Sequence, residues 1–236
     1  MTTTCHVLGA ATSEPLAGVG LTLNAPTPTP PKVTDALCAP ASTYCGSYVA
    51  ELARAASTLD MAELDRAAEI LEAAYLAGQT VFSCGNGGSA AIANHFQCDH
   101  QKGVRTGTDL LPRVVSLSSN IELLTAIAND ISYDEVFTHQ LESQARSGDV
   151  LVAISSSGRS RNVIAALEWA NLNDLRTIAL TGFNGGRARE IAEVAVHVQC
   201  ANYGVVEDVH QALMHALAQY LRQSRMAPQT GGHTAF

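Results

Sequence analysis

Imidazole and carboxylate side chains recur in this chain at spacings that place them on common helix faces. His95 and Asp99 stand four residues apart, and Glu207, Gln211 and His215 follow one another at the same interval. Residues so spaced are neighbours on a helix surface. A carboxylate beside an imidazole can take a proton from one atom and deliver one to another. Taken singly, each residue also has a plainer reading. His95 could be a satisfied histidine near a glycine turn, Asp99 an exposed helix residue beside His100, Gln101 and Lys102. Glu207 and Asp208 near a helix start favour the helix dipole without any chemistry.

Two turns add a ligand to the picture. Cys84-Gly85-Asn86-Gly87-Gly88-Ser89 and Ser155-Ser156-Ser157-Gly158-Arg159-Ser160 each lie between an apolar run and a helical stretch. Turns of this composition present backbone N–H groups and hydroxyls at a helix N-terminus, where the dipole favours an anion. Ser155, Ser156, Ser157 and Ser160 supply more hydroxyls than one N-cap uses. The pair points to a polar, phosphorylated small molecule. Gly85-x-Gly87-x-x-Ala90 also meets the loose dinucleotide fingerprint, but its acidic companion is missing. The next strand ends Val115-Ser116-Leu117-Ser118, so a nicotinamide cofactor is not expected.

The elements that must position these residues alternate regularly. Strands are expected at 80–83, 113–117, 150–154, 177–180 and 194–198, with helices at 88–101, 120–129, 134–146, 160–172, 186–191 and 204–223. Such alternation implies an α/β fold with a doubly wound, five-stranded parallel sheet flanked by helices. Ligands of such sheets bind beyond the carboxyl ends of the strands, where both turns fall. Leu52, Leu59, Leu64, Ile70, Leu71 and Tyr75 recur among alanines ahead of the first strand. They predict an N-terminal helical extension of one long or two consecutive helices, stopped at Gly78. Residues 1–43 carry Pro26, Pro28, Pro30 and Pro31 and are expected to be an extended, disordered Pro/Thr-rich tail. The folded domain is expected over 44–223, with a flexible tail over 224–236.

Composition excludes several partners. The formal charge is −8 and no basic stripe is present, so nucleic acid is not an expected ligand. No apolar run approaches the roughly 20 residues of a membrane span. The six cysteines form no C-x-x-C pair, and the first basic residue is Lys32. A reduced, cytoplasmic protein without a secretory leader is the expectation.

The first turn followed by His95-Phe96 resembles the sugar isomerase (SIS) domain. So do Ala128-Asn129-Asp130, Gly148-Asp149-Val150-Leu151 through Ser155-Ser156-Ser157-Gly158, and Leu180-Thr181-Gly182-Phe183-Asn184-Gly185-Gly186. The similarity runs from about residue 44 to 223. It is closest to the phosphoheptose isomerases (sedoheptulose 7-phosphate isomerases) and to their non-catalytic relative, the DnaA-initiator-associating protein. The resemblance implies aldose–ketose isomerisation of a sedoheptulose 7-phosphate-like substrate through an enediol. It also implies a homotetramer with sites at subunit contacts. Asn86, Gly87, Ser89 and Asp130 would grip the sugar, and Ser155, Ser156, Ser157 and Ser160 would cradle its phosphate. In the family a His and a Glu base stand on one helix, a Gln and a His acid on the last. The matching positions here are His95, Asp99, Glu207 and His215, so Asp99 would be the base and His215 the acid. Some members hold zinc with those four positions, and the resemblance implies one zinc per subunit on His95, Asp99, Glu207 and His215. Asp99 is a methylene shorter than the family's Glu, and Glu207 brings a charge where the family has a neutral Gln. Two other readings share the fold: a non-catalytic SIS binding module and a sugar-phosphate-sensing regulatory domain.

Overall fold

A computed structural model of the chain describes residues 40–226. The expected tails at 1–43 and 224–236 lie outside the described residues, except where helices reach into them. The elements are α1 (Ala41–Ala56), α2 (Met61–Ala77), β1 (Thr80–Gly85), α3 (Gly88–Cys98), β2 (Arg113–Ser116), α4 (Ile121–Asp130) and α5 (Thr138–Gln144). They continue with β3 (Val150–Ser155), α6 (Arg161–Leu172), β4 (Arg176–Thr181), α7 (Gly186–Ile191), β5 (Val194–His197) and α8 (Tyr203–Arg225). The helical extension is two helices. Asp60 accepts from the Ala62 N–H at 3.0 Å to start α2, and Gly78, at φ +71°, ends it.

The five strands pair in parallel in the order β2-β1-β3-β4-β5. The order reverses between β1 and β3, so the crevice beyond their carboxyl ends is the ligand position of this topology. Successive strand residues face opposite sides of the sheet, and the core divides accordingly. Val81, Val114, Val152, Ile178 and Val196 pack with α2, α3 and α8. Phe82, Leu117, Leu151 and Ala153 pack with residues of α4, α5, α6 and α7. Buried Asp149 sets the register of the two central strands. Its carboxylate accepts from the Thr80 and Arg146 N–H groups, each at 2.8 Å.

Helix α8 buries one face continuously through Val205, Val206, Val209, Leu213, Met214, Leu217, Ala218 and Leu221. His210 is buried in the same face. Its Nε2 donates to the Thr181 carbonyl at 3.2 Å, while Nδ1 has no partner among the described residues. Burial is the main cause that pulls this imidazole down to about 4. Unfolding returns it to the ordinary value near 6.5, so the unfolded chain binds more protons at acid pH. The stabilisation from neutral His210 is complete above pH 6.5 and is lost as pH falls towards 4. Urea unfolding should therefore show stability declining over pH 6.5–4, with His210 contributing up to about 1.4 kcal/mol per unit. In His210→Gln that component of the slope should be absent.

Candidate functional site

Both glycine–serine turns lie at the topological switch point, and each contains a glycine whose backbone leaves no room for a side chain. A Cβ on Gly85 would lie 2.7 Å from the Ser89 carbonyl carbon. Only glycine lets β1 run so close beneath the start of α3. On the other side, a Cβ on Gly158 would lie 1.8 Å from the Gly185 oxygen, and Gly158 has φ +63°. The serine turn is locked to the Gly182–Gly186 turn and the start of α7 by two backbone bonds: Gly182 N–H to the Ser156 carbonyl at 2.8 Å and Ala188 N–H to the Gly158 carbonyl at 3.0 Å.

The two turns are also joined to each other. Asn86 and Asn162 exchange amide hydrogen bonds, 2.9 Å in each direction, and Asn162 is buried at the start of α6. The Tyr133 hydroxyl donates to Asn86 Oδ1 at 2.8 Å, and Arg161 pairs with Asp134 at 2.7 Å. Ser89, Ser155 and Ser156 are buried. Ser155 Oγ donates to Ser160 Oγ at 3.4 Å, and Ser157 Oγ accepts from the Arg159 N–H at 3.3 Å. Ser156 Oγ is buried with no hydrogen-bond partner among the described residues. Beside this turn, a cleft of about 460 Å³ is lined by Ser157, Arg159, Phe183, Asn184, Ala201 and Tyr203.

The imidazoles and the carboxylate gather at the far end of α3. There the helix passes into a π-helical segment, Asp99–Val104, a wider turn that spacing alone predicts as plain α-helix. His100 anchors it: Tyr75 Oη and His100 Nδ1 are 2.6 Å apart, and Phe96 stacks on the ring with centroids at 3.9 Å. Burial pulls His100 down to about 3 and pushes the Tyr75 hydroxyl well up. The phenol therefore keeps its proton and donates a hydrogen bond to Nδ1 of a neutral ring.

Asp99, with 12% of its side chain exposed, meets both site histidines. Its Oδ2 accepts from His215 Nδ1 at 2.8 Å, and its Oδ1 lies 3.3 Å from His95 Nε2. The two rings stand edge to face with centroids 4.8 Å apart. On their other side, Gln211 Nε2 lies 3.1 Å from His95 Nδ1 and 3.0 Å from His215 Nε2. His95, Asp99 and His215 each offer a ligand atom within 4.8 Å of the others. Two imidazoles and a carboxylate are a donor set suited to zinc, and this one is open to solvent through His95 and His215.

Glu207 stands apart from that group. Its Oε2 would be 2.2 Å from a Cβ on Gly88, so the carboxylate rests on the first residue of α3, nearer the glycine turn. Partial burial, and then the neighbouring Asp208, push its carboxyl up from the usual range. Asp130 ends α4, exposed, and accepts from the Asn129 amide at 2.7 Å. Spacing overlooked two participants, Asn162 and Tyr133, and gave no role to a third, Gln211. Gln211 alone left a signal, its place in the stripe between Glu207 and His215.

The model of the SIS domain family matches residues 43–182. The chain belongs to the SIS domain family. The phosphoheptose isomerase of Colwellia psychrerythraea is 40% identical over 170 residues, which are 71% of this chain and 86% of that protein. That of Mycobacterium tuberculosis is 39% identical over 163 residues, 67% of this chain and 81% of that one. Among solved structures, the phosphoheptose isomerase of Neisseria gonorrhoeae superposes with a TM-score of 0.71 at 33% identity, covering 77% of this chain and 98% of that one. The SIS domain thus accounts for the expected fold, five parallel strands with helices on both faces and a helical N-terminal extension.

The locked turns carry a mutational signature. Gly158→Ala forces a Cβ onto a backbone oxygen and should cost about 3 kcal/mol or more in urea unfolding. Gly107, at φ +78° with nothing within 4 Å of a built Cβ, bears only the left-handed strain. There, replacement by Ala should cost about 1–2 kcal/mol.

Proposed function

We propose that this chain is an aldose–ketose isomerase of the phosphoheptose type, converting sedoheptulose 7-phosphate or a similar ketose phosphate to the aldose phosphate. The observation that carries the reading is the Asp99–His215 contact at 2.8 Å, at the end of a helix that begins in a glycine turn. His95 is seven positions beyond Gly88 on α3, about 10 Å along the axis. With C–C bonds of about 1.5 Å, an extended seven-carbon chain with a terminal phosphate has a similar length. The identity to phosphoheptose isomerases over most of both chains supports the same assignment.

The phosphate is held by Ser155, Ser156, Ser157 and Ser160. Buried Ser156 Oγ lacks a partner among the described residues, and an unmatched buried hydroxyl costs about 1–3 kcal/mol. A phosphate oxygen supplies that partner. Asn86, Gly87, Ser89 and Asp130 face the sugar hydroxyls. Asp99 takes the proton from C1 of the ketose, and the C–H electron pair becomes the C1–C2 double bond. His215 gives a proton to the C2 oxygen, completing the enediol. His215 then takes the O1 proton as Asp99 returns its proton to C2, leaving an aldehyde at C1, a hydroxyl at C2 and both groups as they began.

His95, Asp99 and His215 would hold a zinc ion; the resemblance implies Glu207 as a fourth ligand, whose carboxylate, now resting over Gly88, would have to turn towards them. When bound, zinc would polarise the carbonyl; Asp99 and His215 do not hold the metal and carry protons at the same moment, so this reading implies that they exchange between the two roles during turnover. The same reading makes the enzyme a cytoplasmic homo-oligomer, a tetramer, which acts without nucleic acid or membrane. Exposed Tyr44 and Val49 on α1 and Met61 and Leu76 on α2 support association. Among the described residues no helix is long and apolar enough to cross a membrane.

Incubation with sedoheptulose 7-phosphate in D₂O tests the reaction. Aldose phosphate should accumulate, with deuterium entering the carbon next to its carbonyl. Asp99→Asn should lower kcat by about 10²–10⁴-fold with the fold intact by circular dichroism. Sugar-phosphate binding without turnover in the unaltered protein would refute the enzyme and favour the sensing domain.

A further inference from the structure

The Gln211 amide closes a ring of polar contacts whose logic can be followed proton by proton. An amide –NH₂ only donates, so facing His95 Nδ1 at 3.1 Å and His215 Nε2 at 3.0 Å it requires a lone pair on each. Neutral imidazole carries one proton. In this arrangement the protons sit on His95 Nε2 and His215 Nδ1, the two nitrogens that face Asp99. The ionised carboxylate only accepts, so every donor meets an acceptor around the ring.

A cation held beside Asp99 needs the opposite assignment. It takes lone pairs from His95 Nε2 and His215 Nδ1, because those nitrogens share Asp99's side. Each imidazole then carries its proton on the other nitrogen, pointing at Gln211. Ligating histidines commonly hand that second N–H to an oxygen, which fixes the tautomer and orients the ring. Gln211 can supply one by turning its amide half a revolution about its terminal bond, presenting Oε1 to both rings. Glutamine can do this because its two ends have the same shape and opposite hydrogen-bonding sense.

We infer that Gln211 is a positioning residue for the metal-binding histidines. It donates to both imidazoles when the site is metal-free and accepts from both when His95, Asp99 and His215 bind a divalent cation. Resting on the metal reading above, the inference adds a function for a residue outside the expected ligand set. Glu207, resting on Gly88, is not the group that contacts both rings. No net proton leaves the histidines in this exchange; each moves from one ring nitrogen to the other.

Zinc affinity of the full chain, measured by competition with a chromogenic chelator, tests it. Gln211→Leu should bind zinc about 10–100-fold more weakly than the unaltered protein. Gln211→Glu, an acceptor of the same shape, should bind at least as tightly as the unaltered protein. Equal affinity in Gln211→Leu overturns the inference, as does a loss in Gln211→Glu as large as in Gln211→Leu. Thermal melting confirms that each variant is folded. Imidazole ¹⁵N spectra of the unaltered protein provide a readout free of mutation. Zinc should shift the protonated nitrogen from Nε2 to Nδ1 in His95 and from Nδ1 to Nε2 in His215, and unchanged tautomers refute the inference. Failure of the unaltered protein to bind zinc is a separate result, which removes the metal reading itself.

Discussion

The packing of α8 against α3 is the constraint on which the site depends. A helix can be rotated about its axis only as far as its buried face allows, and α8 buries Val205, Val209, Leu213 and Leu217 along one line. Interiors packed at crystal density do not tolerate a turned helix. The stripe Glu207, Gln211 and His215 is therefore aimed by apolar residues that take no part in chemistry. The result is a 2.8 Å contact between side chains 116 positions apart in the chain.

The other half of the site is built by backbone, not by side-chain packing. Parallel strands β1 and β3 deliver their following turns to one crevice, and the glycines allow those turns to approach neighbouring chain segments closely. Gly158 and Gly185 are in contact through atoms that any Cβ would displace. The Asn86–Asn162 amide pair then fixes one turn relative to the other. On the proposed reading, the serine turn would hold a phosphate at one end of the ligand while Asp99 and His215 would move protons at the other.

The two residues that depart from the pattern the resemblance implies have different structural surroundings. Asp99 stands where the resemblance implies a longer Glu, and it reaches both imidazoles from the first residue of a π-helical segment. Tyr75, His100 and Phe96 hold that segment from the buried side. Glu207, a carboxylate where the resemblance implies an amide, lies over the start of α3. The amide that touches the imidazoles is Gln211, one helical turn further along. Each change is thus partnered by a neighbour that a substitution list would not connect with it.

The sequence by itself determined the alternation of strands and helices, because hydrophobic periodicity and glycine punctuation are local. It also determined which residues share a helix face: His95 with Asp99, and Glu207 with Gln211 and His215. It marked both anion-type turns, since hydroxyl and glycine content follows directly from composition. Only the tertiary structure decided that Gln211 faces both imidazoles, that Asn162 and Tyr133 meet Asn86, and that α3 widens at Asp99. The reason is physical. Spacing fixes angles around one helix axis, but not that helix's rotation against its neighbour or the reach of its side chains. Those are set by the cores on the two faces of the sheet, through contacts distant in the chain.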